Sequence, residues 1–355
     1  MRSLNLRQGR RLAVIDTFFP WKQSGFRYWE SIEFFKQRPD TLFFATNVSC
    51  DEFPAPVFPI EVFKEMAEEK GITDVYCVFL NLACSLLGCT TIPSGFTLPG
   101  SKPHLDLSSF LKEKGIRLHT TLYPGGGLEP EIPAPFLSVV KEGCSCIFTN
   151  VQEVLDEIPS SIFTPIVINT DYYSFNQKFL EDKIQLTFAA NRSVRKGFPL
   201  LANVFNQLDD SFYLNIVGDW ERELHLLTNE QFSYYGSLSP EELKKIYQHS
   251  HVFLYTGTQD QYALDGFPVT VAADAMSTGC LLVSTNPRND RLTLVAGVDY
   301  LEVEAMSYSI VDALNWVKEN VKTAMKIGET GAGSIRRKFN CKEVVMKKIQ
   351  YMIGS

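Results

Sequence analysis

The stretch Leu264-Asp-Gly-Phe-Pro-Val-Thr-Val-Ala-Ala-Asp-Ala-Met-Ser-Thr-Gly279 decides how the surrounding sequence folds. It begins as a loop with an acid, Asp265, and continues through Gly-Phe-Pro into a helix that carries a second acid, Asp274. Gly279 stands where a left-handed helix C-cap is expected. The stretch therefore predicts a loop that leads into a helix and carries two carboxylates.

A cluster of cations lies upstream, in Ala189-Ala-Asn-Arg-Ser-Val-Arg-Lys-Gly197. Arg192 and Lys196 follow a predicted strand and precede a predicted helix. Because the carboxyl ends of parallel strands meet at one edge of a sheet, we expect these cations and the acids to lie together. Acids bind hydroxyls and cations bind phosphates, so the pattern suits a sugar nucleotide. A solvated basic turn and an ordinary turn acid are the alternatives.

Composition limits the possible classes of protein. The chain has 355 residues, 45% of them hydrophobic, which predicts two domains of ordinary size. A net charge of −7 argues against binding to duplex nucleic acid. Eight cysteines in a chain of this length indicate free thiols in a reducing compartment, so we expect a cytoplasmic protein. No apolar run reaches the ~20 residues of a membrane-spanning helix, although peripheral membrane contact stays open.

Short apolar runs alternate with helical patterns throughout, which predicts an α/β fold with parallel sheets. The predicted strands are 12–15, 41–45, 74–80, 116–122, 146–149, 186–190, 212–217, 252–255 and 280–284. The predicted helices are 26–36, 60–69, 107–114, 136–142, 198–208, one that begins at Pro240, 268–278, 309–320 and 342–353. Ser239, Pro240 and Glu242 together mark a capping box.

The second half of the chain resembles the donor-binding domain of the retaining GT-B glycosyltransferases of family 4, the glycosyl transferases group 1. The likeness covers about residue 164 to the C-terminus. It rests on the following segments: Arg192 with Lys196-Gly197, Tyr235-Gly236 before Glu242-Leu243, Asp265-Gly266-Phe267-Pro268, and Asp274-Ala275-Met276 before Gly279.

The resemblance implies a GT-B fold, with two Rossmann-like doubly wound domains facing each other across a cleft. The domains would be an acceptor-binding domain at 1–176, a nucleotide-sugar donor domain at 177–337, and a C-terminal helix at 338–355 that crosses back to the first. The implied reaction is transfer of a hexose from a UDP- or GDP-type nucleotide-diphosphate sugar to a glycan or other hydroxyl acceptor, with retained configuration. Neither a cofactor nor a metal is implied, and the chain has no Asp-x-Asp motif.

The resemblance also assigns site residues. Arg192 and Lys196 would stabilise the leaving diphosphate, Asp265 would bind hydroxyls of the transferred sugar, and Asp274 would bind the ribose. The remaining donor-site candidates are Gly266, Phe267, Pro268, Val269 and Thr270 around a helix start that can bind phosphate, Gly218, Tyr235 and Leu238 near the base, and Gly25 facing the phosphates.

Three departures from the family pattern keep other functions open. Both acids are Asp where the family usually has Glu, and they lie nine positions apart (274 minus 265) where eight is normal. The family's catalytic-side histidine has no clear counterpart in this sequence. His119 lies near the strand end where the family has that histidine, but Tyr123 can occupy the equivalent position. The alternatives are a degenerate GT-B protein that binds a sugar nucleotide without turnover, or a GT-B sugar-nucleotide epimerase or hydrolase.

Overall fold

The computed structural model describes residues 9–128, 134–179, 182–258 and 266–354. The chain divides into two compact units. Unit 1 contains residues 1–167, 261–266 and 341–355, and unit 2 contains residues 168–260 and 267–340. The units meet after residues 167 and 340, whereas the predicted domains meet after residues 176 and 337.

Unit 1 is built on a parallel sheet of seven described strands. The strands are β1 Leu12–Phe19, β2 Leu42–Val48, β3 Val57–Pro59, β4 Asp74–Val78, β5 Arg117–Leu122, β6 Cys144–Thr149 and β7 Ile162–Phe163. Their order is β3-β2-β1-β4-β5-β6-β7, the doubly wound order in which the chain reverses direction beside β1. Neighbouring strands pair in parallel, and every residue of β4 is buried, as expected for a sheet covered on both faces.

Helices cover this sheet. They are α1 Phe26–Gln37, α2 Phe63–Lys70, α3 Leu80–Leu86, α4 Ser108–Lys114, α5 Ala134–Gly143 and α6 Gln152–Glu157, joined by a helix from much later in the sequence, α12 Cys341–Ile353. Their apolar faces form one core with the strands, which includes Phe63, Val75 and Phe136. Burial of this apolar surface is the main stabilising term of the unit.

Helix α12 is anchored in unit 1 by a buried ion pair. Lys348 and Glu30 are both almost fully buried, and the Lys348 ammonium donates hydrogen bonds to Glu30, Thr121 and the hydroxyl of Tyr76. The Lys348 ammonium also lies 5.1 Å from the ring centroid of Tyr123. A buried ammonium is tolerated only with such a set of partners. Helix α12 is therefore an integral part of unit 1.

Unit 2 repeats the same topology with six described strands. The strands are β8 Ile184–Ala189, β9 Phe212–Val217, β10 Phe232–Tyr234, β11 Val252–Tyr255, β12 Leu281–Ser284 and β13 Leu301–Glu302, in the order β10-β9-β8-β11-β12-β13. The helices are α7 Phe198–Phe205, α8 Pro240–His249, α9 Thr270–Ser277, α10 Ser307–Glu319 and α11 Val321–Lys338. Strand β8 is the switch point, because β9 lies on one side of it and β11 on the other.

The predicted elements largely coincide with the observed ones, and the differences have local causes. The capping box of α8 is present, with Ser239 and Glu242 each bonded to the other's backbone N–H. The apolar run 75–87 contains both β4 and α3, a division that periodicity alone cannot reveal. Helix α11 was not predicted, because three glycines within it weaken the helical pattern. Gly331 is required there, since a Cβ would lie 2.2 Å from the carbonyl oxygen of Asp299.

Candidate functional site

The two predicted diphosphate-binding cations lie at the carboxyl edge of the sheet of unit 2. Strand β8 ends at Ala189, and the turn that follows carries Arg192 and Lys196 before α7 begins at Phe198. Gly197 ends a short 3-10 helix in the left-handed conformation, with φ 72°. A Cβ on Gly197 would lie 1.9 Å from the carbonyl oxygen of Thr256, so only glycine allows the turn to approach the end of β11.

Lys196 is oriented by the neighbouring strand. Its ammonium lies 5.6 Å from the ring centroid of Tyr255, the last residue of β11. The hydroxyl of Thr256 donates to the carbonyl oxygens of Lys196 and Gly197, over 3.2 and 3.0 Å. These contacts hold the lysine backbone against β11, at the carboxyl edge where ligands bind in doubly wound folds.

Arg192 is held from the other side, by the segment that follows β9. Its backbone N–H donates to Oδ1 of Asp219 over 2.7 Å, and its Nε donates to Oε1 of Glu223 over 2.7 Å. This pairing lowers the pKa of the Glu223 carboxyl and raises that of the Arg192 guanidinium. Both groups are therefore charged at neutral pH.

A buried tryptophan joins these two loops. The indole N–H of Trp220 donates to the carbonyl oxygen of Ala190 over 2.8 Å. Its ring stacks on Phe198, with centroids 4.8 Å apart and an interplanar angle of 14°. The loops after β8 and β9 are thereby fixed to each other and to the core of unit 2.

The predicted phosphate-binding helix is α9, and its start is fixed by packing. The ring of Phe267 packs against Tyr300 at 4.9 Å between centroids, and the hydroxyl of Thr293 donates to the Phe267 carbonyl over 3.5 Å. The N-cap residue is Val269, whose side chain cannot accept a hydrogen bond from the N–H groups of the first turn. Pro268 and Thr270 flank Val269 at this uncapped start, which can therefore receive an anion.

Asp274 lies inside α9 and is 5% exposed. Burial raises the pKa of this carboxyl well above its ordinary value. The negative charge of the carboxylate in turn contributes to raising the pKa of three nearby phenols, those of Tyr172, Tyr173 and Tyr247. No hydrogen bond to the carboxyl comes from any residue that the structure describes. The site thus contains a desolvated acid that receives no hydrogen bond within the described part of the chain, and its contact with a ribose stays a prediction.

Of the three residues predicted near the base, Gly218 directly follows β9, whereas Tyr235 and Leu238 follow β10. Gly218 has a packing requirement of its own, since a Cβ would lie 2.0 Å from the carbonyl oxygen of Ala190. Tyr235 is exposed, and its hydroxyl donates to Asn215 over 3.1 Å. Leu238 is half-buried just before the N-cap of α8. Their contact with a base stays a prediction.

Two of the predicted residues belong to unit 1 and one falls outside the described residues. Gly25, with φ 61°, is the N-cap of α1 near the carboxyl end of β1. Gly266 also belongs to unit 1, where a Cβ on it would lie 3.0 Å from the side-chain nitrogen of Asn150. Asp265 lies outside the described residues, so its role stays a prediction.

Neither candidate for the catalytic-side histidine is accessible. His119 is fully buried on β5, and its Nε2 lies 3.0 Å from Oδ1 of Asp74. Tyr123 is 1% exposed, and its hydroxyl donates to the carbonyl of Pro165 over 2.8 Å. The glycine-rich segment after Tyr123 packs tightly at Gly126, where a Cβ would lie 2.4 Å from Cβ of Phe79. These residues are structural parts of unit 1.

Glu223, Asp219 and Trp220 were not predicted as part of the site. A signal was present in the sequence, because three acids, Asp219, Glu221 and Glu223, follow the strand beside the one that ends in the cation cluster. Because β8 and β9 are neighbours in the sheet, the acids after β9 lie close to the cations after β8. The described part of the chain contains no group of three or more His, Cys, Asp or Glu side chains arranged to hold a metal ion.

The chain resembles known proteins in part of its sequence and in its fold. Residues 170–333 match the family model of the glycosyl transferases group 1, so the predicted resemblance of the second half of the chain to this family is confirmed. No curated protein sequence matches the chain significantly. Among the helices that the structure describes, none is both long and apolar enough to cross a membrane.

Several solved structures share the fold over nearly the whole chain. Anabaena HepE in complex with UDP and glucose has 12% identity and a TM-score of 0.70, covering 96% of this chain and 98% of that one. Sucrose-phosphate synthase from Thermosynechococcus elongatus has 13% identity and a TM-score of 0.68, with the same coverage. A glycosyltransferase from Rickettsia africae has 12% identity and a TM-score of 0.69, also with that coverage. The predicted GT-B fold with two Rossmann-like domains is confirmed.

Proposed function

We propose that the chain, whose residues 170–333 match the glycosyl transferases group 1, is a retaining hexosyltransferase that uses a nucleotide-diphosphate sugar. The acceptor is a hydroxyl of a glycan or a similar molecule. A UDP-sugar is the first donor to test, since HepE has been crystallised with UDP-glucose. A GDP-sugar is the second.

The observation that carries the proposal is the cationic turn at the switch point of unit 2. Arg192 is held from the β9 side and Lys196 from the β11 side, so both occupy the carboxyl edge beside β8. Two cations fixed in this way match the charge that develops on a leaving diphosphate. In this proposal they take the place of a divalent metal ion.

The proposed reaction is a displacement on one face of the sugar. The bond between the anomeric carbon and the β-phosphate oxygen breaks, and the acceptor oxygen bonds to the same face of that carbon. The proton of the acceptor hydroxyl moves to the leaving phosphate, so that no nucleophile of the protein is needed. Arg192 and Lys196 stabilise the departing diphosphate, Asp274 binds the ribose, and Asp265 binds the transferred sugar.

The second candidate function is binding of a sugar nucleotide without turnover. It is favoured by the burial of His119 and Tyr123, neither of which is exposed to a substrate. It is also favoured by the shorter acids, Asp265 and Asp274, in place of the family's glutamates. An epimerase or hydrolase acting on the same ligand is the other alternative.

Two measurements test these proposals in sequence. A thermal-shift panel of UDP, GDP, ADP and their sugars identifies the nucleotide, because a ligand that binds the folded state raises its apparent stability. Release of nucleoside diphosphate from the best donor is then followed with and without candidate acceptors. Slow release without acceptor supports an enzyme, whereas binding without any release supports the second candidate. If no nucleotide raises the unfolding temperature, both proposals fail.

A further inference from the structure

Among the residues that the structure describes, Glu223 alone hydrogen-bonds the guanidinium of Arg192, and it does so along one edge. Its Nε donates to Oε1 of Glu223 over 2.7 Å, and its Nη2 lies 2.7 Å from the same oxygen. A guanidinium has five N–H donors in a rigid plane. The second N–H of Nη2 and one N–H of Nη1 therefore form the adjacent distal edge of the plane, which Glu223 does not occupy. That edge has the fork geometry that binds two phosphate oxygens.

Glu223 is itself fixed to the sheet. Its backbone N–H donates to the carbonyl of Trp220 over 2.9 Å, and Trp220 is bonded to Ala190 at the end of β8. The second carboxylate oxygen, Oε2, is buried and accepts no hydrogen bond from the described residues. Glu223 thus reaches Arg192 from an anchored segment, while Asp219 holds the arginine backbone.

We propose that Glu223 is a positioning residue for nucleoside diphosphate binding: it holds the guanidinium of Arg192 with its free edge presented to the diphosphate. This inference rests on the proposed function and adds to it. An arginine that is ordered before the ligand arrives loses less side-chain entropy on binding, and this strengthens binding without any new contact to the ligand.

Simple electrostatics predicts the opposite effect for the loss of Glu223. A carboxylate near a diphosphate repels it, so removal of the negative charge alone should strengthen binding. The sign of the change in affinity therefore distinguishes positioning from repulsion. The chain offers a matched control in Glu221, an exposed acid at the start of the same short 3-10 helix, 221–226.

The experiment is calorimetric titration of the whole chain with UDP, or with GDP or ADP if the panel favours that nucleotide. For Glu223→Ala, affinity should fall about three- to tenfold, the scale expected when a charge-assisted contact is weakened. The affinity of Glu223→Gln should fall less, because the amide oxygen of the glutamine can still accept a hydrogen bond from Arg192. Glu221→Ala should bind as the wild type does or slightly more tightly. The unfolding temperature of Glu223→Ala should stay near that of the wild type, since surface ion pairs contribute little stability.

A double-mutant cycle tests whether Glu223 acts through Arg192. In the Arg192→Ala background, the further change Glu223→Ala should leave affinity unchanged, because the group that it positions is gone. The proposal is overturned if Glu223→Ala binds as tightly as the wild type, or if the loss is equally large without Arg192. A wild-type protein that binds no nucleotide would overturn the proposed function as well, so the two failures are distinguishable.

Discussion

The indole nitrogen of Trp220 donates a hydrogen bond to the carbonyl oxygen of Ala190 over 2.8 Å, and this bond joins the loops after β9 and β8. Trp220→Phe would keep much of the stacking on Phe198 and lose the bond. We expect a loss of about 2–4 kcal/mol in the free energy of unfolding, because the change removes the bond to the Ala190 carbonyl and also leaves a cavity at a buried position. Nucleotide affinity should fall as well, since the same bond positions the cation turn. Denaturant unfolding and calorimetry measure the two effects, and unchanged affinity would separate Trp220 from ligand binding.

Gly197 allows the cation turn to contact β11. In Gly197→Ala the added Cβ would lie 1.9 Å from the carbonyl oxygen of Thr256, and the residue would also keep a left-handed φ. Gly236→Ala is the matched control, because Gly236 has a similar φ of 65° and a Cβ added there would meet no atom within 4 Å. We expect the control to cost about 1 kcal/mol of stability and Gly197→Ala clearly more. Equal unfolding free energies for the two variants would contradict the close approach.

Asp274 should destabilise the ligand-free protein at neutral pH. Its folded-state pKa is raised by burial, so its contribution to stability is fully present below the pKa of the unfolded chain and is lost as pH rises toward the folded pKa. Asp274→Asn should therefore be more stable than the wild type at pH 7, by about 1–3 kcal/mol. The difference should vanish near pH 4, and the exposed control Asp312→Asn should show none. Thermal unfolding across pH provides the measurement.

Nucleotide binding should release a proton from Asp274. Ribose hydroxyls that donate to the carboxylate favour its charged form and lower its pKa. Nucleotide affinity should therefore rise with pH and level off once the pH exceeds the pKa of Asp274 in the ligand-free protein. Calorimetry in two buffers of different ionisation enthalpy counts the protons released. The proton release should be absent in Asp274→Asn. If that variant releases as many protons as the wild type, another group titrates.

Lys196→Ala should abolish turnover and leave the fold intact, because a cation at the edge of a sheet contributes little to stability. Lys322→Ala, an exposed lysine on α11, serves as the control and should retain full activity. Release of nucleoside diphosphate and the unfolding temperature are measured side by side. Full activity in Lys196→Ala would refute its assignment to the diphosphate.

Much of the fold could be predicted from the sequence because each signal is local. Strand β11 is an apolar run with polar neighbours, and the predicted range 252–255 matches the observed one. The start of α8 follows from Ser239, Pro240 and Glu242 within four residues. Helix α3 was missed because it follows β4 without an intervening polar segment, so its periodicity merges with that of the strand.

The candidate site could be predicted only in part, since its framework depends on strand order. Arg192 and Lys196 are recognisable from their own segment, but the partner of Arg192 is 31 positions away on a neighbouring strand's loop. His119 illustrates the reverse error. Its position near a strand end made it a candidate for the catalytic-side histidine. In the structure its side chain is buried in the sheet, where Nε2 lies 3.0 Å from Oδ1 of Asp74.

The burial of Lys348 within unit 1 has a consequence for biosynthesis. A ribosome delivers the polypeptide from its amino end, so all of unit 2 is made before α12 emerges. Until then, Glu30 has no ammonium to neutralise it, and the surface that α12 covers faces solvent or a chaperone. Unit 1, although begun earlier, can therefore be completed only after the whole of unit 2 has been synthesised. The amino-terminal half of the protein thus depends for its folding on the last of its own elements to be made.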